Sequence, residues 1–291
     1  MMINPFLNSA RQLRNGWWIL IFFLVLAAIL VPVLLLAQKN GMDVTIGLQA
    51  VILIIASCLC QALYRRPFTE LTGSINSRWY KDLCIGGLVG SALMFIPALI
   101  LGLCGCIDWQ WNSIDISVLS SSLHLFAGVA VAEELLFRGF VFQRLISGLG
   151  RWPAQCITAA FFLLTHLNNP GMTGSVKVMA TVNIFLASIL FGLAFIRTGS
   201  LAMPIGLHWM ANWVQGGILG FGVSGTEQLG LLKPVFENAP VWLTGSPFGL
   251  EASLPGLICV ILILILMGIW KPSEENLEPA VGLIRHQPGD I

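Results

Sequence analysis

The chain has 291 residues, of which 56% are hydrophobic and only 10% charged, with a mean hydropathy of +0.84 and a formal net charge of +1. A soluble domain carries roughly a quarter charged residues, so this composition excludes an ordinary soluble protein and points to an integral membrane protein. The near-zero charge offers no basic field, and no nucleic acid is expected as a partner.

Apolar runs long enough to cross a bilayer begin near Trp17 (WWILIFFLVLAAILVPVLLLA), near Val44 (VTIGLQAVILIIASCLCQALY) and near Leu83 (LCIGGLVGSALMFIPALILGLCGCI). The first run is longer than a signal-peptide core and lacks a small-x-small cleavage site, so it is expected to be a retained anchor. A fourth run starts near Val118 and passes into AEELLFRGF, residues 132–140. The fifth, PAQCITAAFFLLTHL, is short, and the sixth is VMATVNIFLASILFGLAFI. LAMPIGLHWMANWVQGGILGF and LPGLICVILILILMGIW complete the set. The expected fold is all-α: a polytopic membrane protein of about eight transmembrane helices.

Basic residues sort by side. Arg11, Arg14, Arg65, Arg66, Arg78, Lys81, Arg144, Arg151, Arg197 and Lys271 fall on one side, while Asp43, Asp108, Asp115 and Glu227 mark the other. Both termini are therefore expected in the cytoplasm. The chain divides into N-terminal helices (1–116), a polar-residue-bearing core (117–222), an extracytoplasmic Gly- and Pro-rich loop (223–253), a last helix (254–270) and a polar tail (271–291). The loop is expected to rest on the membrane interface and the tail to be disordered. No internal repeat recurs at a fixed period, which weighs against a transporter built from inverted repeats. The seven cysteines (58, 60, 84, 104, 106, 156 and 259) form no CxxC pair and no zinc-like spacing with histidine. They read as buried free thiols.

AEELLFRGF places two glutamates and an arginine where charge costs most, about 2.5–3.5 kcal/mol each at a helix centre on insertion scales. Glu134 and Arg138 are four apart, share a helix face in the favourable order and can neutralise one another. Glu133 points about 100° away and has no such partner in its own helix. The alternative is that all three reach water at the cytoplasmic end. Intramembrane ionisable groups mark functional sites by default, and that favours a cavity.

Two further pairs share a helix face at a spacing of four: Phe162 with His166, and His208 with Asn212. Taken alone, either histidine reads more readily as a hydrogen-bonded interior residue than as a catalyst. His124 has no polar companion at helical spacing and reads as structural; His286 lies in the tail. Counting rise per residue puts Glu133 roughly 15 Å below the outer boundary. From the inner boundary, His166 lies roughly 21 Å up, His208 roughly 11 Å and Asn212 roughly 17 Å. In a core about 30 Å thick these depths bracket the midplane. Amide hydrolysis by water needs a base, donors for the oxyanion and a proton for the leaving amine. Glu133 could be the base, with His166 holding the water. His208 and Asn212 could both donate to the oxyanion. No serine or cysteine nucleophile with its base is evident, and no HExxH is present.

EELLFR, FLLTH and HWMAN match EExxxR, FxxxH and HxxxN motifs in order, across residues 133–212. This set resembles the CPBP family of intramembrane proteases, which takes in CAAX prenyl endopeptidases of the Rce1 type, Abi-type bacterial proteins and bacteriocin-processing relatives. RRPFTELTG and TGSLAMPIGLH are also similar to family sequence. The resemblance implies an eight-helix fold with a catalytic cavity inside the membrane. It assigns Glu133 and His166 to water activation and His208 and Asn212 to the oxyanion, with Phe162 as motif support. It further implies a peptide or protein substrate, lipidated or membrane-embedded, and placement in a bacterial plasma membrane. Glu133, His166 and His208 are zinc-compatible ligand types. Asn212 is a poor zinc ligand and a good oxyanion donor, so no metal is the favoured expectation. Two rival classes remain: a non-catalytic membrane protein that binds a hydrophobic or lipidated peptide in an immunity or scaffold role, and a transporter with a Glu/His proton relay. Asn212 cannot titrate, which weighs against the relay.

Overall fold

The computed structural model describes residues 4–270. The expected polar tail 271–291, with Lys271 and His286, lies outside the described residues. The chain is mostly helical. Its elements run α1 (Asn15–Lys39), α2 (Ile46–Leu63), the short α3 (Thr69–Thr72), α4 (Ser77–Leu103), β1 (Ile107–Trp111), α5 (Ile116–Arg138), α6 (Phe140–Leu149), α7 (Arg151–His166), α8 (Gly174–Thr198) and α9 (Ala202–Trp213). A π-helical turn (Val214–Ile218), β2 (Leu232–Phe236), α10 (Val241–Thr244), a 3-10 turn (Leu250–Ala252) and α11 (Leu254–Ile269) follow.

Local chemistry sets the boundaries that matter for the polar helices. Asp115 caps α5 by accepting the Ser117 N–H at 2.8 Å. That backbone bond, helped by the Ser117 hydroxyl, holds the Asp115 carboxyl below its usual value. The cap's contribution is therefore present above the ordinary carboxylate range and is lost as pH falls through the lowered value. At the other end Gly139 (φ −76°, ψ −130°) breaks the helix, and a Cβ there would collide with the Leu135 carbonyl oxygen. The chain thus turns into α6 immediately after Arg138, which fixes where the charged stretch stops.

Among the described residues, four helices are long and apolar enough to cross a membrane: α1, α2, α4 and α8; α11 is shorter. The spanning window of α1 is only 6% buried by protein, so its apolar surface is left for lipid. The 16 residues of α7 and 12 of α9 fall short of the roughly 20 that a simple span needs.

Packing holds α9 close to α4. Gly86 and Gly90 on α4 meet the backbone of Met203 and Leu207, and Gly206 on α9 meets that of Leu83 and Gly87. A Cβ at Gly90 would collide with the Leu207 carbonyl oxygen, one residue before His208. Small residues permit this backbone approach, and in lipid such contact replaces the hydrophobic drive between helices. Gly90→Val is accordingly expected to lower the melting temperature in detergent and to cost at least about 1–3 kcal/mol. A thermal melt unchanged from wild type would contradict that packing. A large cluster including Leu93, Phe191, Leu207 and Val260 joins α4, α8, α9 and α11. A second, with Phe22, Leu53 and Phe140, joins α1, α2 and α6.

The mostly helical fold carries one small sheet: β1 and β2 pair antiparallel, with Ile107 opposite Phe236 and Trp109 opposite Pro234. The segment 223–253 contributes β2 and buries Phe248, Leu250 and Ala252 completely. Its Gly and Pro residues serve tight turns packed on the bundle. The cysteines differ from expectation. Cys60 and Cys259 are buried, but Cys58, Cys84, Cys104 and Cys156 are exposed on the protein surface. Apolar sequence around a thiol does not mean protein around it, because lipid can cover the same face.

Candidate active site

Glu134 and Glu133 are neighbours on α5 that face different surroundings. Glu134 is completely buried and accepts from Arg138 Nη1 at 3.1 Å and from His208 Nδ1 at 2.8 Å. Arg138 Nη2 donates onward to the Ser188 carbonyl at 3.0 Å and its hydroxyl at 2.7 Å. The guanidinium also lies 5.0 Å from the ring centres of both Phe162 and Phe191. A buried charge is tolerated when it is paired and hydrogen-bonded, and each member of this group is.

Glu133 keeps a 28% exposed side chain, and its Oε2 lies 3.7 Å from His208 Nε2. That oxygen has no hydrogen-bond partner within the protein. Glu134 Oε2 is unpartnered too, so what separates the adjacent carboxylates is that Oε1 of Glu134 takes two hydrogen bonds in full burial while Glu133 stays partly exposed.

Hydrogen-bond partners settle which nitrogen of each histidine carries a proton. His166, the last residue of α7, has Nδ1 2.7 Å from the Phe162 carbonyl oxygen. A carbonyl only accepts, so Nδ1 bears hydrogen and Nε2 of the neutral ring is an acceptor. Thr165 Oγ1 donates to the same carbonyl at 2.7 Å. His208 Nδ1 faces the Glu134 carboxylate and is likewise a donor, leaving Nε2 toward Glu133. The His208 ring stacks on Phe191 at 4.8 Å and 9°. Phe162 packs 4.5 Å from the His166 ring and 6.4 Å from the His208 ring, so it separates and orients both. Trp209 Nε1, donating to the Leu123 carbonyl at 2.9 Å, ties α9 to α5 beside this contact.

Glu133, Phe162, His166, His208 and Asn212 line one cavity of about 420 Å³. Glu134 and Arg138 do not. Asn212 follows His208 by one helical turn, is part-buried, and its amide makes no hydrogen bond among the described residues. The stretches RRPFTELTG and TGSLAMPIGLH also meet: the Thr72 carbonyl accepts from Ser200 Oγ at 3.0 Å and Leu201 N at 3.2 Å, just before α9 begins. Among the described residues, no three His, Cys, Asp or Glu side chains gather closely enough to hold a metal ion.

Sequence reasoning missed Ser188, which closes the Arg138 network, and Asn183, Gln215 and Glu251, which line the same cavity. Ser188 and Asn183 are lone polar residues in an apolar helix, the one signal available for them. Glu251 sits in a connecting segment with no periodicity to flag it. Burial raises its carboxyl above the usual value, while bonds from Gln215 and Ser224 act the other way.

Residues 115–214 match the model of a protein family described as Rce1-like, type II CAAX prenyl endopeptidase. The match runs from the Asp115 cap to the first residue of the π turn, and so contains every position of the three motifs. It agrees with the resemblance those motifs carry: this is an integral membrane protein with a CAAX-protease-like segment. The helices α1, α2, α4 and α11, and Glu251, lie outside the matched residues. No curated protein matches the chain.

Proposed function

We propose that the protein is an intramembrane endopeptidase that hydrolyses a peptide bond with a water activated by Glu133 and His166. The observation that carries this reading is the division of labour on α5: Glu134 is fully buried and bonded to Arg138 and His208, while Glu133 has a 28% exposed side chain that lines the cavity. Glu133 takes one proton from the water, and His166 Nε2, a fixed acceptor, orients it through the other. The water oxygen bonds to the carbonyl carbon, and the oxyanion receives N–H bonds from Asn212 and His208. Because Nδ1–H of His208 is committed to Glu134, Nε2 donates only when the ring is an imidazolium. Glu134 fixes the orientation of the ring, so that Nε2 is the nitrogen on the Glu133 side. On collapse the C–N bond breaks and Glu133 passes its proton to the leaving amine.

Eight membrane crossings with both described ends on the cytoplasmic side belong to the same reading; it is supported by the side preference of basic residues. In it α7, α9 and the π turn cross as short or broken helices, which is tolerated where irregular backbone lines a cavity. The substrate is a peptide or protein within reach of the bilayer, lipidated or membrane-embedded, and no metal takes part. The test is to incubate purified protein with lipidated and unlipidated peptides and identify products by mass spectrometry, with and without a zinc chelator. Cleavage that survives chelation supports the reading. Binding without cleavage of any peptide favours the rival, non-catalytic reading, and stoichiometric zinc lost on His208→Ala overturns the metal-free mechanism.

A further inference from the structure

The hydrolysis above leaves one part of the cavity unused. Beyond Asn212, the chain enters the π turn, whose Gln215 is 2% exposed. Gln215 Nε2 donates to the Gly222 carbonyl at 2.7 Å and also to Glu251 Oε2. Since that carbonyl can only accept, the amide orientation is fixed and its nitrogen must face both oxygens. Glu251 Oε1 accepts the Ser224 N–H at 2.5 Å and lies 3.2 Å from Ser224 Oγ. Each carboxyl oxygen thus faces an obligate donor; these bonds favour the charged form against the burial that raises the carboxyl, and a cationic group beside it would favour that form further.

Opposite elements add a second group. Asn183 on α8 is 2% exposed, lines the same cavity, and its Nδ2 has no hydrogen-bond partner. A buried amide donor left unpaired is unfavourable, a cost removed when a ligand carbonyl meets it. Asn183 lies two turns, about 12 Å, along α8 from the Phe191 that stacks on His208. It is therefore displaced from the reacting atoms.

The ionisable side chains lining the cavity are Glu133, His166, His208 and Glu251; no lysine or arginine lines it. A free carboxy terminus held there would meet carboxylates without a counter-cation, in surroundings that screen charge poorly. A cationic group would instead find Glu251 already oriented.

We propose that Glu251 and Asn183 form a peptide-binding subsite in which Glu251 receives a cationic group of the substrate and Asn183 donates to its backbone. The substrate segment held there then carries a cationic group rather than a free carboxy terminus. This assignment rests on the peptidase reading for its substrate class, but it is a statement about binding and can be tested without turnover.

The protein carrying Glu133→Gln, in detergent, is titrated with fluorescent peptides that differ at one position: Lys, Gln or Glu. Each is made with a free and an acetylated amino terminus, which separates a side-chain cation from a terminal one. The expected result is at least tenfold tighter binding of a cationic peptide than of its Glu counterpart. Adding Glu251→Gln should bring that ratio to within about twofold of one. Asn183→Leu should weaken every peptide about three- to tenfold and leave the ratio alone. If Glu251→Gln does not yield folded protein, Asn183→Asp serves, since a second carboxylate in the subsite should raise the ratio. A ratio unmoved by either charge change, a preference for the Glu peptide, or no binding by any peptide overturns the subsite. If the expected binding pattern holds while wild type cuts none of these peptides, the subsite stands and the peptidase reading fails.

Discussion

Replacing Glu133 with Gln is expected to lower kcat/KM for a cleaved peptide by about 10²–10⁴-fold, the usual contribution of general acid–base catalysis. Protein yield and melting temperature should stay at wild-type values. The physical reason is local. The Glu133 Oε2 atom makes no hydrogen bond within the protein and its side chain is 28% exposed, so an amide of the same shape leaves no buried partner stranded. What the amide lacks is basicity: it can neither take the proton of the attacking water nor return it to the leaving amine. Rates within threefold of wild type would remove Glu133 from the chemistry. A collapse in yield would instead show that its role is structural.

Glu134→Gln and Arg138→Gln should behave in the opposite way, each costing about 3–5 kcal/mol because removal of one partner strands a buried charge. The side chains are 0% and 1% exposed, so water cannot compensate. Glutamine at 134 keeps a carbonyl oxygen for Nδ1 of His208 but not the charge that pairs with Arg138, while loss of Arg138 leaves Ser188 without its donor. The readouts are monodisperse yield after extraction and melting temperature in detergent. The double variant Glu134→Gln with Arg138→Met should recover part of the loss, since it deletes both charges rather than one. Equal yields for Glu133→Gln, Glu134→Gln and Arg138→Gln would sink the distinction between the two glutamates. Both predictions depend on the same observation, that neighbouring carboxylates on one helix point into different environments.

How much of this was legible beforehand depended on whether the information lay within one helix. A helix of 3.6 residues per turn places positions four apart on one face. The Glu134–Arg138 contact, the Phe162–His166 ring contact and the His208–Asn212 juxtaposition could all be drawn from spacing alone. The apolar runs were equally readable, because a bilayer demands roughly 20 consecutive apolar residues. Their limits were less so: the 12 helical residues of α9 run on into a π turn, which no period in the sequence announces.

What lies between helices has no fixed sequence interval. His208 joins Glu134 across 74 residues, Arg138 reaches Ser188 across 50, and Gln215 meets Glu251 across 36. The burial of the cysteines went astray for a related reason: composition reports a residue's preference for water, not whether protein or lipid covers it. By itself the sequence determined a membrane protein with polar residues in face-sharing pairs on three helices. Only the tertiary structure decided which nitrogen of each histidine faces the cavity, which glutamate is spent on folding, and that Asn183 and Glu251 share the site. Those are properties of distances between side chains on different elements, and packing alone sets them.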